Sequence, residues 1–384
     1  MPDASGNLAP AMKSGLSAPV SSQLGRLRID LGALCANFRR LAATAAPARC
    51  AAVVKADAYG LGAAPVVSAL ARASCRDFFV AHLEEALALR GMIGAEGVLY
   101  VLNGVARGAE AVCADAGIIP VLSSVEQCRA WQAFAQTRGG TAPAALQIDT
   151  GMSRLGLDLQ SAAELAQDAG FLAAAPLRLL MTHLACADTP AHPANAAQLA
   201  AFAQARALFP QTPASIANSG GIFLDGAYRG DLVRPGVALY GAAPSSEAMP
   251  LQRVVTLDAP VLQIRTIPAG AGVGYGLDYA ASAPRRIATL GIGYADGWPR
   301  HLGGRGAAWR GGVRLPMIGR VSMDSMSVDV SALAPDTLAE GDLVELIGPS
   351  QSLEDVAREA GAIAYEILTR LGARLHRTYA HIGD

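Results

Sequence analysis

The sequence predicts an α/β fold in which an N-terminal (β/α)8 barrel of the TIM type precedes a C-terminal, mostly-β domain. Eight short apolar runs recur over residues 50–240, and about seven helical stretches lie between them. Strands that alternate with helices favour parallel pairing, and eight such units suit a closed barrel. No Gly-x-Gly-x-x-Gly follows the first strand, so a dinucleotide-binding sheet is disfavoured.

Hydrophobic spacing predicts each element of the barrel along the chain. Residues 27–31 alternate like a strand, and residues 30–41 then carry helical spacing. The eight apolar runs that we expect to form the barrel strands are 50–54, 78–81, 98–102, 118–122, 145–148, 179–182, 215–217 and 232–240. A chemically capable side chain follows each run, and in a barrel these strand ends converge on the face that carries the active site.

The chain of 384 residues exceeds one ordinary domain. We expect a disordered tail over 1–24, a barrel over 25–243 and a β domain over 244–384, with 25–33 either opening the barrel or pairing with the β domain. The strands expected in the second domain are 254–267, 286–292, 313–317, 327–330 and 343–347. One helix, 352–360, is predicted there with Ser352 as its N-cap.

Composition narrows the class of protein. The formal net charge of −1 argues against nucleic acid or an anionic membrane as the main partner. Six scattered cysteines without a Cys-x-x-Cys pair are typical of a reduced, cytoplasmic protein. No apolar run approaches the ~18 residues of a membrane span. We therefore expect a cytoplasmic protein with a small-molecule substrate, and no motif indicates a metal.

One stretch carries the strongest chemical signal. The first barrel run ends at Lys55, and Ala-Asp-Ala-Tyr-Gly-Leu-Gly follows. A lysine among apolar residues loses hydration, so its pKa falls and its amine becomes a usable nucleophile or base. An ordinary lysine at a strand end is the alternative. The motif Lys-Ala-Asp-Ala-Tyr-Gly-x-Gly resembles the cofactor-lysine motif of the alanine racemase family, in which pyridoxal phosphate is held as a Schiff base.

Two further loops favour a phosphate-bearing cofactor. Ser219 lies in Ala-Asn-Ser-Gly-Gly after the seventh run, and Gly236 and Val237 lie within the eighth. Barrels often bind phosphate in these two loops through backbone amides. Arg234 lies among apolar residues, where it is costly unless paired, so a structural ion pair is one interpretation. The family resemblance instead assigns Arg234 to the pyridine nitrogen, which would stay unprotonated because arginine keeps its proton.

The resemblance extends over nearly the whole chain beyond the tail, and it implies roles for further residues. It implies Lys55 and Tyr275 as the two catalytic bases, Arg154, Tyr294 and Met323 as substrate-binding residues, and Tyr59, His183 and Tyr365 as cofactor contacts. The chain departs from the family at one position. Many members have a lysine, often carbamylated, where this chain has Gln147, which leaves the orientation of Arg154 open.

The resulting expectation is a pyridoxal-phosphate-dependent isomerase that racemises alanine with two bases. Such an enzyme supplies D-alanine for peptidoglycan or serves alanine catabolism. Two alternatives stay open: a decarboxylase of basic amino acids, which would normally carry an acidic residue in place of Arg234, and a non-catalytic homeostasis protein, which would lack the domain with Tyr275. The resemblance also implies a head-to-tail homodimer with shared sites.

Overall fold

A computed structural model of the chain describes residues 24–245 and 248–380. Apart from Leu24, the disordered tail predicted over 1–24 lies outside the described residues. The described residues form an N-terminal α/β unit and a C-terminal unit of mainly antiparallel strands. None of the helices in these ranges combines the length and the apolarity that a membrane crossing needs.

Parallel strands form the first unit, and the predicted barrel is confirmed. The strands are Arg49–Cys50 and Ala52–Val53, which together make one interrupted strand, then Asp77–Val80, Val98–Val101, Ile119–Leu122, Ala144–Gln147, Leu177–Met181, Ala214–Ser215 and Leu232–Val233. Seven of them pair in chain order, from Ala52–Val53 to Ala214–Ser215. Leu232–Val233 pairs with Arg49–Cys50, and the N–H of Arg234 donates to the carbonyl of Ala217 at 2.9 Å, which closes the ring.

Helices follow these strands as predicted. The α-helices of the first unit are Leu31–Ala45, Ala63–Arg72, Leu83–Arg90, Glu110–Asp115, Val125–Thr137, Leu159–Ala166, Ala169–Ala174 and Pro193–Leu208. The first of them begins where Asp30 accepts the N–H of Ala33 at 2.8 Å, as an N-cap does. The strands are apolar on both faces, because helices cover the outer face and the packed barrel interior covers the inner face.

The last predicted barrel strand, 232–240, is wrong beyond Val233. Pro235 has no N–H to donate to a ladder, and residues Val237–Tyr240 form a buried 3-10 helix instead. An uninterrupted apolar run indicates burial, but it does not distinguish a strand from another buried element. The chain bends at Pro235, and the bend places the backbone of Gly236 beside the end of the barrel strand Ala52–Val53.

The second unit is built on a strongly curved sheet. In sheet order its strands are Arg285–Leu290, Met326–Asp329, Val313–Ile318, Ala307–Arg310, Leu343–Ile347, Val255–Ile267, Arg26–Asp30 and His376–Ala380. The long strand Val255–Ile267 also pairs back with Arg285–Leu290, and a small hairpin, Gly272–Val273 with Tyr279–Ala280, stands apart. The helix Leu353–Ala360 begins at Ser352 as predicted, but Ala364–Arg370 is a second helix that the sequence did not indicate.

The first strand of the chain belongs to the second sheet. Arg26–Asp30 pairs antiparallel with Val255–Ile267 and parallel with His376–Ala380. Its buried side chains, Leu27 and Ile29, join a continuous apolar core that runs through both units. The two units are therefore bound together by the N-terminal strand, and the domain limits of 25–243 and 244–384 stay a prediction.

Replacing Arg49 by methionine is expected to destabilise the fold at neutral pH. Asp77 is 2% exposed and pairs with Arg49 at 2.7 Å. Breaking a buried pair costs about 3–5 kcal/mol, and we expect about 2 kcal/mol because Arg49 itself is largely solvated. The shift of the urea unfolding midpoint measures this cost. Arg206→Met, which removes an exposed pair with Asp231, is the matched control.

The same substitution makes stability depend on pH in a defined direction. Burial is the main cause that raises the pKa of Asp77 above its usual value of 3.8, and Arg49 opposes that rise. A carboxyl with a raised folded-state pKa favours folding below pH 3.8, and this contribution is lost as the pH rises through the folded pKa. Without Arg49 that pKa rises further. The deficit should therefore be smaller at pH 5 than at pH 7, and equal deficits would contradict this explanation.

Candidate active site

Lys55 follows the strand Ala52–Val53 at the barrel face formed by the carboxyl ends of the strands. The four residues after it, 56–59, have φ values from +52° to +58° and form one turn of left-handed helix. Each L-residue in that conformation costs about 1–2 kcal/mol. Such a turn persists only where its surroundings hold it, and strain of this kind is concentrated at functional sites.

The second unit holds the far end of this turn. Arg377 donates to the carbonyl of Gly60 at 3.1 Å, and the hydroxyl of Tyr379 donates to the carbonyl of Leu61 at 3.0 Å. A Cβ on Gly60, whose φ is +83°, would lie 2.6 Å from the carbonyl oxygen of Leu368. Glycine is required there by both the conformation and the space, so the lysine turn is built against both units.

The electrostatic surroundings of Lys55 suit a reactive amine. Its side chain is half-buried, and burial is the main cause that lowers its pKa. The guanidinium of Arg154 lowers this pKa further, whereas the carboxylate of Glu85 raises it. A lowered pKa increases the uncharged fraction of the amine, which is the form that attacks a carbonyl or accepts a proton.

Two loops meet beside the lysine turn and present donors to an anion. The buried Oγ of Ser219 accepts the N–H of Gly236 at 2.9 Å and that of Ala238 at 3.3 Å. Because both contacts use the oxygen as acceptor, the hydroxyl proton of Ser219 is free to donate. A Cβ on Gly236 would lie 2.3 Å from the hydroxyl oxygen of Tyr59. The hydroxyl of Tyr59 therefore lies directly against this backbone, and Val237 begins the 3-10 helix there.

Three aromatic side chains pack together beside these two loops. The ring centroid of Tyr59 lies 4.9 Å from that of Tyr240 and 6.1 Å from that of Tyr365. The hydroxyl of Tyr240 donates to the carbonyl of Val53 at 3.0 Å and so fixes the ring behind the strand. Burial is the main cause that raises the pKa of Tyr59 and of Tyr365. Both phenols consequently stay protonated at neutral pH and can donate hydrogen bonds.

Arg234 is buried, with 3% of its surface exposed. Its guanidinium donates to Ser215 Oγ and to the carbonyls of Thr182 and Ile216. Among the described residues it has no carboxylate within ion-pair distance, so the structural ion pair considered above is absent there. Burial lowers its pKa to about 9, which keeps it charged at pH 7. Three of the five N–H groups are used, and the others are left for a ligand.

His183 follows the strand Leu177–Met181, two strands before Leu232–Val233 in chain order. Burial lowers the pKa of its imidazole to about 3, and the positive charges of Arg234, Arg154 and Lys55 act in the same direction. The ring is therefore neutral at any working pH. A neutral imidazole in this position can stack on a ligand or exchange one hydrogen bond, but it cannot add a further positive charge to the site.

Arg154 extends from a tightly folded loop. The Oδ1 atom of Asp149 accepts the N–H groups of Gly151, Met152 and Ser153 at 2.9, 3.0 and 3.1 Å. Gln147 is buried, and its Nε2 donates to the carbonyl of Leu155 at 2.9 Å. Gln147 thus holds the loop through the backbone of the residue next to Arg154. In the described residues the side-chain oxygen of Gln147 accepts no hydrogen bond from Arg154.

Tyr275, Tyr294 and Met323 lie together on the second unit and are exposed, by 71%, 42% and 52% respectively. The loop 319–323 joins them. A Cβ on Gly319 would lie 2.5 Å from the carbonyl oxygen of Val273, while the carbonyl of Met323 accepts the N–H of Ala295 at 2.9 Å. Among the described residues no hydrogen bond connects the side chain of Tyr275 to the barrel site. The described residues of one chain therefore show no hydrogen bond between the two predicted bases.

The structure gathers the other predicted residues at one end of the barrel. Lys55, Tyr59, His183, Ser219, Arg234, Gly236 and Val237 lie on the strand ends and their loops, with Tyr365 beside Tyr59 and Arg154 near Lys55. Sequence reasoning missed Glu85, Tyr240 and Gln198, which support these groups. Gln198 donates to the carbonyl of His183 at 2.9 Å and to the hydroxyl of Thr150 at 3.1 Å. Only Glu85 had a sequence signal, the spacing of a capping box after a strand.

Comparisons with known proteins match both units. The alanine racemase N-terminal domain family matches residues 29–244, and the alanine racemase C-terminal domain family matches residues 254–379. A catabolic alanine racemase of Agrobacterium fabrum is 54% identical over 360 residues, which are 94% of this chain and 93% of that relative. An alanine racemase of Brucella canis is 50% identical over 372 residues, with 93% of this chain and 94% of the relative covered.

Solved structures agree with these matches. The crystal structure of alanine racemase from Bartonella henselae with covalently bound pyridoxal phosphate superposes with a TM-score of 0.90 at 44% identity, covering 93% of this chain and 99% of that one. Alanine racemase from Streptomyces coelicolor superposes with a TM-score of 0.88 at 34% identity, covering 94% and 99%. Both similarities span the barrel and the second unit.

Proposed function

This chain belongs to the alanine racemase family; it is a pyridoxal-phosphate-dependent isomerase that interconverts L- and D-alanine, and we propose that Lys55 and Tyr275 are its two bases. The observation that carries the assignment of Lys55 is its place on the strained turn beside the pocket of Ser219 and Arg234. The protein loaded with pyridoxal phosphate should abolish the optical rotation of L-alanine without release of CO2. Release of CO2 would instead indicate the decarboxylase alternative.

The residues at the barrel end fit pyridoxal phosphate. The hydroxyls of Ser219 and Tyr59 and the backbone at Gly236 form a cradle that a Cβ at Gly236 would fill, which is the kind of close backbone approach that a phosphate needs. Arg234 is buried and charged, and no carboxylate of residues 24–245 or 248–380 pairs with it, so it would hold the pyridine nitrogen as a donor. Lys55 would hold the aldehyde carbon.

The bound cofactor supplies an electron sink that makes the Cα hydrogen of alanine acidic. The residues of this chain then move the proton. We assign proton abstraction from D-alanine to Nζ of Lys55 and abstraction from L-alanine to the hydroxyl oxygen of Tyr275, each acting on its own face of Cα. Because racemisation removes a proton from one face and returns one to the other, two bases on opposite faces perform it directly.

Substrate recognition is assigned to Arg154, Tyr294 and Met323. Arg154 is the exposed cation close to Lys55, and its guanidinium suits a carboxylate. Because Arg234 keeps its proton, the pyridine nitrogen that it would hold would stay unprotonated, which would make the bound ring a weaker electron sink. Tyr294 and Met323 would close the pocket over a small side chain, which suits alanine better than a large amino acid.

We propose that the enzyme works as a head-to-tail homodimer in which the second unit of one chain completes the barrel site of its partner. Tyr275, Leu277 and Met323 are each more than half exposed on one face of the second unit. Exposed apolar side chains of this size mark an interaction surface. In a two-fold dimer this face would meet the partner's barrel end, so that Tyr275 reaches the Lys55 of the other chain.

Mixing two inactive variants is expected to restore activity if sites are shared. A dimer of one Lys55→Ala chain and one Tyr275→Phe chain has one doubly altered site and one intact site. Independent sites add, so each mixed dimer should have about half of the native activity. Subunit exchange is verified by native mass spectrometry. Verified exchange without recovered activity would show that the tyrosine acts within its own chain.

We also propose a cytoplasmic location. All six cysteines are free thiols, and five of them are buried as small packing residues. Reduced, buried thiols are typical of proteins that fold in a reducing compartment.

A further inference from the structure

Glu85 has a contact that its place in the helix does not require. It lies in the first turn of the helix Leu83–Arg90, where its Oε2 accepts the N–H groups of Ala81 and His82 at 2.7 and 3.1 Å. These two bonds cap the N-terminus of the helix, as the glutamate of a capping box does. Its second oxygen, Oε1, accepts the N–H of Ala56 at 2.6 Å. One carboxylate thus joins two adjacent strand ends of the barrel.

Ala56 is the first left-handed residue after Lys55. Its φ of +52° begins the turn that continues through Tyr59, so its N–H sets the direction in which the chain leaves the lysine. The far end of the turn is held by Arg377 and Tyr379. The near end is held by Glu85, whose contact with Ala56 is a charge-assisted hydrogen bond.

We propose that Glu85 is a positioning residue for the reaction, which holds Lys55 and Tyr59 in place through the N–H of Ala56 and keeps a negative charge beside the lysine turn. The proposal rests on the function proposed for Lys55. Lys55 is the reacting amine, Tyr59 lies against Gly236 in the anion pocket, and both belong to the turn that Glu85 anchors. Displacing such a turn by one ångström costs on the order of a hundredfold in rate.

The ionisable side chains that face Lys55 come from three elements. Arg154 approaches from the loop after Ala144–Gln147, Glu85 from the helix Leu83–Arg90, and His183 from the end of Leu177–Met181. The imidazole is neutral, so Arg154 and Glu85 act in opposite directions on the pKa of Lys55. Removing the carboxylate leaves Arg154 unopposed and should lower that pKa.

The chain itself makes the measurement clean, because its only lysines are Lys13 and Lys55. In a Lys13→Ala background, Lys55 is the single ε-amine. Its pKa can be read from the pH dependence of acetic anhydride labelling, followed by mass spectrometry on the full-length protein freed of cofactor. Glu84 is exposed, lies on the same helix and carries the same charge. Glu84→Gln is therefore the matched control for Glu85→Gln, and Glu84→Ala for Glu85→Ala.

Three results are expected. Glu85→Gln lowers the pKa of Lys55, and Glu84→Gln does not. Glu85→Ala raises hydrogen exchange about tenfold in the peptide covering 53–62, with and without bound cofactor, because a charge-assisted bond is lost. Glu85→Ala also lowers kcat on the order of a hundredfold with little change in KM. If the alanine variant does not fold, Glu85→Gln carries the test, since its amide oxygen can still accept one N–H.

A purely structural role for Glu85 gives a different pattern. Faster exchange confined to the helix 83–90, with the turn and the pKa of Lys55 unchanged, would overturn the proposal. The result is separable from the proposed function, because exchange and labelling report on the turn whether or not Lys55 is the catalytic amine. Loss of cofactor attachment in Lys55→Ala tests that assignment on its own.

Discussion

Replacing Lys55 by alanine is expected to abolish both racemisation and covalent attachment of pyridoxal phosphate. Lys55 is the only lysine in the described residues, and the one other lysine of the chain, Lys13, lies in the tail region. No second amine at the barrel end can replace it. Borohydride treatment followed by peptide mass spectrometry should locate the cofactor on Lys55 in the native protein and find no labelled lysine in the variant.

Lys13→Ala is the matched control for this experiment. It removes the only other lysine and should leave both activity and cofactor attachment unchanged. Ser219, Tyr59 and Arg234 are untouched in Lys55→Ala, so the variant should still bind the cofactor, though reversibly. A borohydride-stable adduct in Lys55→Ala would remove the lysine from its assigned role, and an adduct on Lys13 in the native protein would do the same.

Replacing Tyr275 by phenylalanine is expected to damage the two directions of the reaction unequally. Its hydroxyl is assigned to the proton of L-alanine, whereas Lys55 handles D-alanine. A positioned acid–base group contributes about 10²–10⁴-fold. We therefore expect exchange of the Cα hydrogen of L-alanine with solvent deuterium to fall by at least about a hundredfold, and exchange in D-alanine to fall less. Cofactor binding should be retained, because the groups assigned to hold the cofactor, among them Lys55, Ser219 and Arg234, are unchanged in this variant.

Tyr279→Phe provides the control, since it removes a phenolic hydroxyl four residues away that is half-buried beside Val273. It should leave both exchange rates close to native. Deuterium incorporation is followed for each enantiomer separately by mass spectrometry after chiral derivatisation. Small and equal losses for the two enantiomers would exclude Tyr275 as the base for L-alanine.

The parts of the fold that could be predicted from the sequence are those that depend on local pattern. Apolar runs bounded by turns predict the start of every barrel strand to within a few residues. Ser352 is predictable as an N-cap because its side-chain hydrogen bond is made within one helical turn. The helix Ala364–Arg370 could not be predicted from the sequence, because its buried residues are only Ile367 and Leu368. The run 232–240 was assigned the wrong structure because hydrophobicity reports burial and not backbone geometry.

The sequence indicates the side chains of the site that would bind or react. It does not indicate the residues that hold those side chains in place. Lys55, Ser219 and Arg234 follow or interrupt apolar strands, a local and visible feature. Glu85 and Gln198 act through contacts that join distant segments, and the bond from Ala56 to Glu85 spans 29 positions. The capping-box spacing distinguishes Glu85 from the exposed Glu84 beside it, but it predicts only the helix cap and not the contact with Ala56.

Hydrophobic spacing in the sequence predicts the barrel, the β domain after it and an arginine among apolar residues. The reactive lysine at a strand end is predicted by the motif Lys-Ala-Asp-Ala-Tyr-Gly-x-Gly, since its position alone also suits an ordinary lysine. The left-handed turn at 56–59 is imposed by tertiary packing, since Ala, Asp and Tyr disfavour that conformation locally and contacts with both units hold it. Tertiary packing also leaves Tyr275 exposed to solvent, beside the loop 319–323 of the second unit.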